Sequence, residues 1–224
     1  MLKKTLLLFK PKKKKSYYEI GSEAAMKNDM RTAFIYFEKA AAGGDAKSQF
    51  LTGFLMAYGV GTEKNEKNAL KWFLKAAEQN YADAFNSLAE MIASGRGCKQ
   101  DIPLAVRYYH AAAERGHKDA QFKLGFLYKT GRGVKKNYDT AANYFIAAAE
   151  KGHVKAQYNL GIMYATGKGV IRNDVKSAEW YRKAAEQGYV IAQYNLGYMY
   201  QSGRGVEKNY KEALYWFQKA GKNL

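Results

Sequence analysis

The stretch from Ala192 to Val206 reads AQYNLGYMYQSGRGV, and it is the third near-copy of one phrase. Ala156 to Val170 reads AQYNLGIMYATGKGV, and Ala120 to Val134 reads AQFKLGFLYKTGRGV. Successive copies start 36 residues apart. Glycine returns in the same register at 59, 95, 131, 167 and 203, and again at 61, 97, 133, 169 and 205. A fixed period of this length marks a repeat array, in which each unit buries its apolar face on its neighbours.

Each unit has a local grammar. Ala192, Leu196, Met199 and Tyr200 fall at i, i+4, i+7 and i+8, which predicts a first helix with one apolar stripe. A small residue stands mid-helix at 53, 89, 125, 161 and 197, where glycine is unfavourable unless another helix comes very close. Gly203 and Gly205 predict the helix end and a loop. Asn or Asp at 65, 101, 137, 173 and 209 predicts the cap of a second helix. Pro103 sits in the first turn of one such helix, where proline is tolerated.

The second helix carries paired aromatics: Trp72-Phe73, Tyr108-Tyr109, Tyr144-Phe145, Trp180-Tyr181 and Trp216-Phe217. Small alanines such as Ala184 and Ala185 let neighbouring helices interlock with these rings. Gly116, Gly152 and Gly188, with Asn80 in one copy, turn the chain into the next unit. The first unit, Tyr17 to Ala42, lacks the paired glycines and is joined around Lys27-Asn28-Asp29 by a loop four residues shorter. It reads as an atypical terminal repeat. The expected organisation is a basic tail at 1–15, then an array over 16–221. Its hairpins are 16–44, 46–80, 82–116, 118–152, 154–188 and 190–221, with a short end at 222–224.

Composition agrees with an all-helical chain. There are 21 glycines against two prolines, and β-branched residues are sparse. Cys98 is the single cysteine, so no intrachain disulfide forms, and the disulfide-stapled secreted class is excluded. No stretch approaches the ~18 apolar residues of a membrane span. Net charge is +17, of which seven lysines before Ser16 supply +7 and the remaining 209 residues +10. Such a chain is drawn to acidic proteins, nucleic acid or anionic lipid. The tail MLKKTLLLFKPKKKK begins like a signal peptide, but Lys10 ends its apolar run well short of the ~7–15 residues expected. It reads as a solvated basic segment. The expected location is the cytoplasm, with export through an atypical or truncated signal left open.

Ala192 to Val206 with Ala213 to Ala220, and Ala156 to Val170 with Ala178 to Gly188, resemble the Sel-one-like repeat family, a branch of the tetratricopeptide-like solenoids. The resemblance covers about Ser16 to Gly221. Thr52, Met56 and Asn80 depart from its pattern. It implies a right-handed superhelical solenoid that binds protein partners as an adaptor or scaffold. Some bacterial relatives neutralise a cognate toxic effector.

Two surfaces are candidate binding sites. On tetratricopeptide geometry the first helices line a concave groove, which nominates Phe54, Phe122, Phe126, Lys129, Tyr158, Ile162, Tyr194, Tyr198 and Gln201. Tyr158 and Tyr194 belong to the family pattern and are equally suited to packing between helices. Phe54, Phe126 and Tyr198 are therefore the favoured anchors. The second surface is a basic loop edge of Arg96, Lys99, Arg132, Lys135, Lys168, Arg172, Arg204 and Lys208, spaced so that stacked units align them. Solvated charge on loops is the ordinary alternative. The last unit lacks a polar capping helix, so its face around Leu214 and Phe217 is a candidate for self-association.

Candidate chemistry is thin. His117 and His153 share a turn position, and no Cys/His/carboxylate cluster has ligand spacing. Cys98 stands where other units carry Val or Thr and reads as a half-buried substitute. The glycine loops lack the phosphate-loop pattern and context. No catalytic residues, metal or cofactor are assigned, and the chain is read as not an enzyme. The expected function is a scaffold or adaptor presenting a groove and basic edge to an acidic protein. A narrower form is an immunity-type inhibitor of a toxic effector. The alternative of another class is a nucleic-acid or anionic membrane-surface binder acting through the lysine tail.

Overall fold

The computed structural model describes residues 14–221, and every regular element among them is an α-helix. In order they are α1 (Tyr17–Met26), α2 (Met30–Ala42), α3 (Ala46–Tyr58), α4 (Glu66–Glu78), α5 (Ala82–Ser94), α6 (Ile102–Glu114), α7 (Lys118–Thr130), α8 (Tyr138–Glu150), α9 (Val154–Thr166), α10 (Asp174–Glu186), α11 (Val190–Ser202) and α12 (Tyr210–Gly221). The chain forms two compact units, one through Tyr81 with α1 to α4 and one from Ala82 with α5 to α12. Within each, every helix packs on its neighbours in sequence. The fold is an all-α solenoid of helical hairpins. The tail reading for residues 1–13, and the short end at 222–224, lie outside the described residues.

The predicted caps form. Asp101, Asn137 and Asn173 accept from the backbone N–H three residues on, as does Asn65 in the first unit. Each bond satisfies one of the open donors of a helix start and is worth about 1 kcal/mol. Two of the first helices, α7 and α9, are capped by histidine instead. His117 and His153 accept through Nδ1 from Ala120 N and Ala156 N, at 3.3 and 3.1 Å. Their Nε2 atoms lie 3.5 Å from Asp83 and 3.4 Å from Asp119. The shared turn histidines are helix caps.

The two loop glycines have separate duties. Gly203 ends α11 in the left-handed region, with φ +73°. Gly205 makes a close approach: a Cβ there would sit 2.1 Å from the carbonyl oxygen of Asp174. Gly169 sits on Tyr138 in the same way, and Gly61 on Met30. Each loop thus rests on the first turn of the preceding hairpin's second helix. Mid-helix, a Cβ on Gly161 or Gly197 would lie 2.6 Å from the ring of Tyr181 or Phe217. That contact explains a residue that helix propensity disfavours. Asn28 makes the short turn of the first hairpin at φ +60°.

Buried glutamines tie one hairpin to the next. Gln121, Gln157 and Gln193 donate from Nε2 to the carbonyls of Ala113, Ala149 and Ala185, at 3.2, 3.1 and 3.0 Å. Gln49 does the same to Ala41 in the first unit. These carbonyls lie in the last turn of a second helix, and the glutamine adds a second donor to the backbone N–H that each already accepts from the following turn, as Ala113 O does from Gly116 N at 2.9 Å. The glutamine oxygen then needs its own donor. Gln187 supplies it to Gln157 at 2.7 Å, and Gln79 to Gln49 at 2.8 Å. At the equivalent place Lys151 instead donates to Gly116 O at 2.7 Å. The Oε1 atom of Gln121 is left buried with no partner.

One expectation is corrected. Cys98 is exposed, whereas Val134, Val170 and Val206 at the equivalent loop position are half-buried. Partial burial of the sulfur, with Asp101 nearby, pushes its thiol above the ordinary value. That is the opposite of what an activated thiolate requires.

Candidate functional site

In the second unit the first helices of successive hairpins share one face. Lys129 on α7 donates to Asn159 Oδ1 on α9 at 2.7 Å. A cavity of about 200 Å³ lies where α9, α10 and α11 meet. The nominated aromatics divide into two sets along this face. Phe122, Tyr158 and Tyr194 are half-buried. Phe122 stacks on His153 with centroids 4.3 Å apart, and Tyr158 packs on Tyr181 and Tyr189. Tyr194 leans on Phe217. These rings lie on their own hairpin's second helix, and those of Phe122 and Tyr158 also meet the following cap residue.

One turn on, the rings emerge. Phe126 is 44% exposed and Tyr198 61%, with Ile162 half-buried between them in register. Gln201 is exposed, and the Lys129 ammonium lies 6.0 Å from the Phe126 ring. Burial holds the Lys129 pKa below the ordinary ammonium value, with Lys168 adding to the effect. In the first unit Phe54 is 41% exposed, and its ring lies 4.7 Å from that of Tyr58. Sequence reasoning passed over Tyr58, although the signal was available: the other long copies carry Ser or Thr there, at 94, 130, 166 and 202. Phe50, Phe54 and Tyr58 form a ring ladder at i, i+4 and i+8 along α3.

The basic edge is partly occupied from within. Arg204 donates to Ala165 O at 3.0 Å and to Asp174 Oδ1 at 2.8 Å. Arg172 reaches the other oxygen of Asp174 at 3.2 Å. The hydrogen bond from Arg204 holds the Asp174 carboxyl below its usual range, with Arg172 adding to it. Lys168 and Lys208 lie over the rings of Tyr138 and Tyr210. Arg132, Lys135 and Lys99 are exposed, and Arg96 is half-buried. On α12 Leu214 is 57% exposed, while Ala142 and Ala178 at the equivalent place are buried. Phe217 is half-buried. Among the described residues no three His, Cys, Asp or Glu side chains are grouped to hold a metal ion, and no helix is long and apolar enough to cross a membrane.

The model of the Sel1 repeat matches residues 16–45, 46–81, 82–117, 118–153, 154–189 and 190–223. The chain belongs to the Sel1 repeat family. Proteins of this family generally serve as protein-interaction scaffolds rather than catalysts. A Sel1 repeat protein from Oxalobacter formigenes superposes with a TM-score of 0.85 and 32% identity, over 94% of this chain and 84% of its own. The protective antigen c5321 of uropathogenic Escherichia coli gives 0.88 and 32%, over 92% of this chain and 45% of its own. Chitin synthase regulatory factor 3 of Schizosaccharomyces pombe is 34% identical over 68 residues. That match spans 30% of this chain and 7% of the regulator.

Proposed function

We propose that this Sel1 repeat protein is a scaffold whose groove, formed by the first helices of its hairpins, holds an acidic protein partner. The observation that carries the reading is the exposure of Phe126 and Tyr198 in a register whose neighbouring positions are packed. Rigid rings on an otherwise satisfied surface are what binding anchors require. The charge supports an acidic partner, since the array is +10 without its lysine tail and Lys129, Lys123 and Lys155 lie along the same helices. Arg132, Lys135 and Lys168 extend that basic character to the loop edge.

The test is affinity capture from the native cell at low and high salt. The bait is the full chain, a chain starting at Ser16, and the variants Phe126→Ala and Tyr198→Ala. A single acidic protein should be held by the first two at both salts. Each alanine variant should bind it at least about tenfold more weakly. If that protein is a toxic effector, the scaffold is its inhibitor. Nucleic acid recovered only with the tail, and lost at high salt, would replace the groove by generic electrostatics.

A further inference from the structure

The cavity where α9, α10 and α11 meet has a twin one repeat earlier, and the twin is filled. Lys129 stands at the place of Ala165, and Asn159 at the place of Asn195. In the earlier repeat the Lys129 side chain crosses the interval and its ammonium reaches Asn159 Oδ1. In the later one Ala165 stops at Cβ, and about 200 Å³ stays open between it and Asn195. The solenoid therefore displays both states of one pocket: plugged by its own lysine, and vacant.

The walls of the vacant copy indicate what enters. Tyr198 and Met199 offer apolar surface to methylene groups. Arg204 stands at the rim, and two bonds, to Ala165 O and Asp174, occupy only part of its five N–H donors. The Asn195 amide at the far wall is already hydrogen-bonded to the Tyr158 and Tyr181 side chains, which leaves Arg204 as the wall residue with donors to spare. Spare guanidinium donors beside apolar walls select a carboxylate on a short aliphatic stem, since guanidinium and carboxylate form strong charge-assisted pairs.

We infer that the Ala165 pocket receives a glutamate side chain of an extended segment of the partner, and that Ala165 sets where along the array this occurs. The inference rests on the groove reading and adds the chemistry of one subsite. The probe is a fluorescein-labelled heptapeptide of alternating leucine and glutamate, followed by anisotropy at low salt, with a glutamine version as control. Ala165→Lys installs the plug that the preceding repeat already tolerates, so its circular dichroism melt should stay close to that of the parent. It should weaken binding at least about tenfold, the loss of one charge-assisted contact. Lys129→Ala should open the second pocket and tighten binding.

Equal binding of the glutamine peptide, or no loss with Ala165→Lys, overturns the pocket. No binding of the glutamate peptide by the parent chain overturns it too, and leaves the groove to be judged on the native partner. If Phe126→Ala and Tyr198→Ala abolish peptide binding while Ala165→Lys does not, the groove stands and the pocket falls. If none of the three matters, both fall.

Discussion

Lys151→Gln should make the protein more stable, although it removes a hydrogen bond that the structure contains. In the present chain Lys151 serves Gly116 O, and Gln121 Oε1 is buried without a donor. A buried acceptor in that condition costs about 1–3 kcal/mol, while a neutral hydrogen bond returns about 1 kcal/mol net. Gln79 shows that one glutamine can do both jobs, donating to Gly44 O at 2.9 Å and to Gln49 Oε1 at 2.8 Å. The bond given up is solvent-exposed and contributes little. The expected net gain is about 1 kcal/mol, localised to the junction of α6, α7 and α8. The reverse change, Gln187→Lys, should orphan Gln157 Oε1 and cost about 1–2 kcal/mol. Urea midpoints followed by tryptophan fluorescence give the sign. Hydrogen exchange at α7 and α8 gives the location, because stability in an array is a sum of unit and junction contributions. Adding Gln121→Leu should erase the gain of Lys151→Gln. A midpoint that falls or stays put for Lys151→Gln refutes the view that the orphaned oxygen matters.

Three further outcomes concern stability. Gly205→Ala puts a Cβ 2.1 Å from Asp174 O and strains a φ of +69°, so it should cost at least about 3 kcal/mol. Gly188 has φ +85° but open space around it, so Gly188→Asn should cost well under about 1 kcal/mol, as Asn80 already makes that turn; urea midpoints of the two variants separate collision from conformational strain. Burial holds the pKa of His153 and of His110 below the ordinary 6.5, with Asp119 and Glu114 opposing the shift. The fold therefore favours the neutral rings. Their contribution is complete above 6.5 and is lost as pH falls through the depressed values. The urea midpoint should drop between about pH 7 and pH 5, and His153→Asn, a cap that does not titrate, should flatten that slope.

The fold was legible because its rules are local and repeat five times after an atypical first hairpin. Asn137 and Asn173 announce helix caps, and the paired glycines announce loops, without knowledge of any distant contact. The mid-helix glycines announced a close helix approach, though not the ring that lies on each. The glutamine ladder was not legible, because a glutamine at the start of a helix looks like a solvated residue. Only the packing of one hairpin on the next turns Gln157 inward to Ala149 O. Which rings stand exposed was legible in part. Phe126 and Tyr198 departed from the repeat pattern and stand exposed, while Phe122 and Tyr158, also nominated, are held by neighbouring rings. The vacancy beside Ala165 was invisible because it consists of atoms that are missing relative to Lys129. Arg204 was nominated for a basic edge and is exposed, yet it also donates to Asp174, since sequence spacing does not reveal which loop charges meet a carboxylate on the previous hairpin.

The seating of Gly61, Gly169 and Gly205 on the preceding hairpin also bears on how such a chain can change over time. A loop that only joined two helices would accept extra residues freely. Here each loop is also the bearing on which the next hairpin rests, and the bearing has clearance for a hydrogen and nothing larger. One residue gained or lost between the paired glycines would lift that contact and misalign everything stacked after it. Whole hairpins, by contrast, carry their own bearing and can be copied or deleted as intact pieces. Diversity in an array built this way accumulates through the number of hairpins and the side chains on their open faces, while the long hairpins keep their period of 36.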